Sequence, residues 1–231
     1  MVPEWIIQVQ DFWKRLNIDG PEDFAKKIHL PDTRLVQQVI PLRDIKIIDA
    51  LIPMPFDVLL DILREIKTID GKKVFKKATI EMINLDPRQL KIGQRFVYRQ
   101  NYQSLVENVA SLFKHFSVAS GLSELGTYFI FGKNLNGIDS MALYLPPIVE
   151  RHRKDLVVMD GIHRNYITKQ IKPMINSIVV SGVSHPFPCD LMPWSSIKVI
   201  DLQEKPSDIN ERYFGLKTGL FRDLKHLGID G

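Results

Sequence analysis

The stretch Leu156–Gln170, reading LVVMDGIHRNYITKQ, constrains this chain more than any other. Four apolar residues, Leu156 to Met159, predict a short buried strand; Asp160-Gly161 ends it, and Ile162 onward reads as a helix. A strand that turns through glycine into a helix presents backbone N–H groups with no intrahelical partner, at the positive end of the helix dipole. That arrangement favours a phosphate or a carboxylate. His163 and Arg164 fall in the first helical turn, where their side-chain donors can add to the same anion. The pattern points to a nucleotide or phosphate site at Asp160, Gly161, Ile162, His163, Arg164 and Asn165.

The rest of the composition narrows the setting. A chain of 231 residues is long enough to bury a substantial core. No run of 18 apolar residues occurs, so no membrane span and no membrane partner are expected. The start, Met-Val-Pro-Glu-Trp-Ile-Ile, lacks the basic region and cleavage site of a signal peptide. Cys189 is the only cysteine, which rules out an internal disulfide and a cysteine zinc site; the cytoplasm is the expected compartment. A formal net charge of +4 suits phosphate ligands or nucleic acid without specifying either.

Patterning predicts three regions. Residues 1–70 read as a helical module: Trp5, Ile6, Val9, Phe12 and Trp13 fall at helical spacing, a second helix carries Phe24 and Ile28, a third starts at Pro31 with Leu35, Val36 and Ile40, and Phe56–Ile66 is amphipathic. Residues 71–200 alternate strand and helix patterns. Val74–Leu85 predicts a strand, Asp86-Pro87 a turn, Tyr102–Phe116 a helix, residues 128–150 a strand pair joined at Asn134–Asp139, and Ile175–Ser181 a strand after the motif helix. Residues 201–231 read as a basic helical tail, with Asn210–Leu227 as its helix. The expected fold class is α/β (α+β).

The order strand, Pro-turn, Gln94-Arg95 segment, helix, Leu145-Pro-Pro-Ile-Val149 strand, Asp160-Gly-Ile-His-Arg164 and apolar strand resembles the ParB/sulfiredoxin fold over roughly residues 74–185. The resemblance implies a mixed sheet with flanking helices, plus the N-terminal helical extension. It makes Gly161, His163 and Arg164 phosphate contacts, with Asp160 shaping the turn. It places Gln94, Arg95 and Arg99 along a nucleotide cleft, and it implies ATP or CTP with Mg²⁺ as ligand. Members of this fold differ in chemistry. Sulfiredoxins carry Gly-Cys-His-Arg with a nucleophilic cysteine, and Ile162 stands at that position. Chromosome-partitioning members carry Gly-Glu-Arg-Arg, of which only Gly161 and Arg164 match; no helix-turn-helix pattern follows. Free-serine kinases carry Asp-Gly-His-His-Arg, matched at four of five positions, but their carboxylate base aligns with Gln94, which is a poor proton acceptor near neutral pH. A branch associated with DNA modification and defence carries Asp-Gly-Gln-His-Arg and matches equally well. Two functions follow from the resemblance: a nucleotide-dependent phosphotransferase or hydrolase, and a non-catalytic DNA-associated or regulatory module.

Further candidates lie outside the motif. Glu107 stands in for a base only if its helix turns inward. Ser184-His185-Pro-Phe-Pro-Cys189-Asp190 follows a buried strand, and loops at strand ends commonly face ligands, which makes His185 a candidate contact. A Cys/His pair can also make a nucleophile, although two prolines favour a rigid turn here. Asp160 and Asp190 are the candidate carboxylates for a magnesium ion. Lys72, Lys73, Lys76 and Lys77 form a basic run without interleaved stacking aromatics, which reads as a solvated segment or a nucleic-acid contact.

Overall fold

In the computed structural model, which describes residues 6–30, 35–103, 126–171 and 173–224, the chain has mixed α+β architecture. It divides into two compact units: residues 1–67 with 126–145 and 223–230, and residues 68–125 with 146–222. No helix among the described residues is long and apolar enough to cross a membrane.

The first unit opens with strand β1 (Ile7–Gln8) and helix Val9–Arg15, then helix Pro21–Lys27, whose proline at the first helical position costs no hydrogen bond. Strands β2 (Gln38–Val39) and β3 (Ile47–Pro53) and helix Phe56–Arg64 follow. The region expected to be wholly helical therefore contributes strands as well. Leu35, Val36 and Ile40, expected on a third helix, lie in and around β2. The chain then runs through the second unit with β4 (Lys67–Thr68, the boundary), β5 (Thr79–Leu85), β6 (Lys91–Ile92) and β7 (Phe96–Tyr98). It returns to the first unit as the hairpin β8 (Tyr128–Lys133) and β9 (Asp139–Tyr144), joined where Asn134 Oδ1 accepts from the N–H groups of Asn136 and Ile138.

That hairpin is the centre of the first sheet, in the order β1-β2-β9-β8-β3. Gln38 pairs with Ser140 and Ile47 with Lys133, partners about a hundred residues away, so local periodicity could not reveal them. Phe12, Trp13 and Phe24 from the two helices meet Phe129 from β8; Phe24 and Phe129 stand edge to face, 5.4 Å between ring centres.

The second unit is completed by β10 (Ile148–His152), β11 (Asp155–Asp160), the motif helix Ile162–Ile171, β12 (Ile175–Ser181), β13 (Lys198–Ile200) and β14 (Arg222–Asp223, where the units divide again). Its main sheet runs β5-β12-β10-β11-β6, with β10–β12 and β11–β6 parallel and β10–β11 and β12–β5 antiparallel. The single strand expected over 140–150 is two strands of different sheets, separated at Pro146-Pro147, where a residue without an N–H cannot continue a ladder. Leu90, Ile92, Val97, Val149, Val158, Ile162 and Val179 form the core between sheet and motif helix. Among the described residues the C-terminal region is α-helical only over Ile209–Arg212, between 3-10 turns at Leu202–Glu204 and Thr218–Leu220, and β14 follows. Residues 99–103 are helical, while the remainder of the expected Tyr102–Phe116 helix, with Glu107, lies outside the described residues.

Candidate functional site

The motif has the local structure its residues dictate. β11 ends at Asp160, Gly161 adopts φ +82°, and the helix begins at Ile162. Glycine is required twice over. A side chain would be strained at that φ, and a Cβ would lie 3.0–3.1 Å from the Cβ and Cα of Pro147. Asn165, fully buried, donates from Nδ2 to the carbonyl of Gly161 at 3.0 Å and so holds the turn closed. Its Oδ1 is buried without a partner among the described residues. Ile162 belongs to the hydrophobic core, so it offers only its backbone to a ligand.

Asp160 and Arg164, one helical turn apart, form an ion pair at 3.2 Å, with 4% and 15% of the side chains exposed. The aspartate shapes the turn by fixing the arginine. That contact also engages the carboxylate expected for a magnesium ion. Asp190, the other candidate, packs against Gly215, and no group of three or more His, Cys, Asp or Glu suited to a metal occurs among the described residues.

His163 has a task different from that of a second cation. It is 5% exposed, and its Nε2 accepts a hydrogen bond from the backbone N–H of Tyr98 at 3.1 Å. Accepting at Nε2 places the neutral ring's proton on Nδ1. Burial, assisted by Arg164 and Lys205, lowers its pKa to about 4, so the ring is neutral at physiological pH. His163 thus pins β7 onto the start of the motif helix, its ring 5.8 Å from that of Tyr98.

The pin brings Tyr98, the neighbour of Arg99, against the motif helix. The individual side chains of the Gln94–Arg99 segment are largely engaged with the 201–214 segment. Gln94 Nε2 donates to the Tyr213 hydroxyl at 3.3 Å. Arg95 donates to the Tyr213 carbonyl and lies 4.5 Å over the Phe214 ring. Arg99 pairs with Asp201 at 2.9 Å. Lys205, which sequence patterning does not single out, lies 5.5 Å over the Tyr98 ring and near enough to oppose protonation of His163. Only tertiary structure reveals it, because no local spacing relates residue 205 to residue 163.

His185 does not join this group. β12 runs antiparallel to the direction of β11, so the loop after β12 leaves the sheet at the end opposite the motif. There Ser184 Oγ lies 2.8 Å from His185 Nδ1, and Arg222 takes the carbonyls of His185 and Pro186. Cys189 is buried and its thiol is pushed up to about 12, which keeps it protonated and removes it as a nucleophile near neutral pH.

A buried ionic cluster at the centre of the same sheet escaped sequence reading. Glu150, fully buried, accepts from Arg222 Nε and Nη2 at 2.9 and 3.0 Å, and lies 2.6 Å from His152 Nε2. Arg222 also donates to the carbonyl of Leu220. Glu150 within an apolar strand was the available signal, since a carboxylate there needs a partner.

No family model, no curated protein and no solved structure matches this chain.

Proposed function

We propose that this protein is a ParB/sulfiredoxin-like nucleotide-binding protein whose Asp160–Asn165 turn holds the phosphates of ATP or CTP as their magnesium complex. The observation that carries the reading is the convergence of cations on an ordered glycine turn. Burial is the main reason His163 stays neutral, and the neighbouring Arg164 and Lys205 cations add to it; those charges would also meet an arriving anion. Backbone N–H groups at the helix start supply directional donors. His163 acts as the neutral pin that keeps β7 and the helix start together, and Asp160 sets the position of the guanidinium.

On this reading the chain binds and orients phosphates, and phosphoryl transfer or hydrolysis is the chemistry such binding serves. Gln94, hydrogen-bonded to Tyr213, cannot serve as a base, so a proton acceptor for transfer would have to come from the second substrate or from water. The test is incubation of the full chain with each nucleoside triphosphate and Mg²⁺, following melting temperature and product. Stabilisation with turnover marks an enzyme. Stabilisation without turnover marks a nucleotide-operated regulatory module. No stabilisation by any triphosphate would overturn the proposal.

A further inference from the structure

The end of the second sheet away from the motif carries a row of cations. Register places Thr79 of β5 beside Ser181 of β12, Ser181 beside Arg151 of β10 in the continued parallel ladder, and Arg151 beside Leu156 of β11. Just beyond that row lie the β10–β11 turn, with Arg153 and Lys154, and the segment leading into β5, with Lys76 and Lys77. Lys72 precedes them on a loop anchored by fully buried Phe75 and nearly buried Val74, whose carbonyl accepts from the Ser184 N–H and hydroxyl after β12. Lys72, Lys76, Lys77, Arg151, Arg153 and Lys154 are all exposed. None of the six makes a salt bridge among the described residues. The carboxylate of the intervening strand, Glu150, is consumed by Arg222 and His152, which leaves Asp155 in the turn and Glu81 on β5 as the acidic neighbours in register.

The turn itself retains arginine where the backbone favours glycine. Arg153 sits at φ +55°, a left-handed conformation that costs a non-glycine residue roughly 1 kcal/mol. Four strands at about 4.8 Å spacing make the row roughly 14 Å wide, which at about 3.4 Å of duplex axis per phosphate of each strand spans several phosphates of a duplex.

We infer that this sheet end is a sequence-independent docking surface for the phosphate backbone of double-stranded DNA. A duplex is favoured over a single strand because the row offers no exposed aromatic for base stacking: Phe75 is buried, and Phe187 packs against His152. It is favoured over an anionic membrane because Ile69, in the turn before Lys72, is the one large apolar side chain exposed beside the row among the described residues, too little to enter lipid. The inference does not rest on the nucleotide reading, since the row and the motif lie at opposite ends of β11.

The experiment is fluorescence anisotropy of a labelled duplex of arbitrary sequence with the full chain across a salt series. Two variants accompany it, R151Q/R153G/K154Q and K72Q/K76Q/K77Q. Wild type is expected to bind with affinity falling steeply as salt rises. Each variant should bind at least tenfold more weakly at low salt and show a log–log salt slope shallower by about 2 to 3. Nucleotide stabilisation should be unchanged in both. Melting temperature checks folding, and should the hairpin variant fail to fold, the lysine variant decides. Absence of duplex binding at low salt, wild-type affinity in a folded variant, or binding to phosphatidylserine vesicles without duplex binding would overturn the inference.

Discussion

Two carboxylate–arginine pairs with buried carboxylates stand in the same unit, and they differ in how completely the protein closes around them. Glu150 and Arg222 have side chains 0% and 2% exposed, joined by two hydrogen bonds, and the guanidinium's other donors are spent on carbonyls of the 185–186 and 220 segments. Asp160 and Arg164 meet at 3.2 Å beside a glycine turn, and Arg164 keeps 15% of its side chain exposed. Each pair has a histidine at hand: His152 contacts the carboxylate directly, whereas His163 bonds the backbone of a neighbouring strand. The first arrangement is saturated and ties the C-terminal segment to the sheet. The second leaves part of its guanidinium exposed beside the glycine turn.

The largest effect expected from breaking this contrast is at the saturated pair. Glu150→Ala or Arg222→Ala strands a buried charge and should cost about 3–5 kcal/mol in chemical denaturation, whereas the paired replacement E150L/R222M should cost far less. Equal losses in all three would mean that packing, rather than charge, dominates there.

Next comes pH. His163 has its pKa lowered from 6.5 to about 4 in the folded chain, so the unfolded chain takes up a proton that the folded chain refuses. Stability from this group is complete above about pH 6.5 and is lost progressively as pH falls towards 4, on the order of 3 kcal/mol in all. His163→Gln, which can still accept from Tyr98, should flatten the stability profile across that window. An unchanged profile would show that the fold does not shift the pKa of His163.

Gly161→Ala should destabilise by about 1–3 kcal/mol, because it combines a left-handed φ with contact on Pro147. A neutral result in a thermal melt would place the turn elsewhere. The smallest effect belongs to the exposed row: R151Q/K154Q should change stability by no more than about 0.5 kcal/mol while altering duplex affinity.

The elements nearest the motif were legible because their signals are local. Ile162–Ile171 and Ile175–Ser181 have the bounds that their apolar patterns and the Asp160-Gly161 break predict. The first seventy residues were not. β2 and β3 are short and take their partners from the β8–β9 hairpin, so apolar residues there look the same to a local window whether they lie on a helix or in a sheet. At the site, the sequence places Asp160, Gly161 and Arg164 in one turn, but it does not show that Arg99 is engaged by Asp201, that His163 accepts from a backbone amide, or that Lys205 completes the positive charge. His185 was misplaced because a strand's C-terminal end says nothing about which sheet edge it reaches until its direction is known.

The proposal that the turn carrying the Asp160–Arg164 pair is an anion site is tested most directly by calorimetric titration of Mg-ATP and Mg-CTP into wild type and Arg164→Gln, a replacement that keeps a hydrogen-bond donor for Asp160. Wild type should bind one of them saturably, and the variant, still folded in a thermal melt, about tenfold to a hundredfold more weakly, the loss of a charge-assisted contact worth about 1.5–3 kcal/mol. Saturable binding of equal strength in both proteins, or none in wild type at millimolar nucleotide, would contradict it.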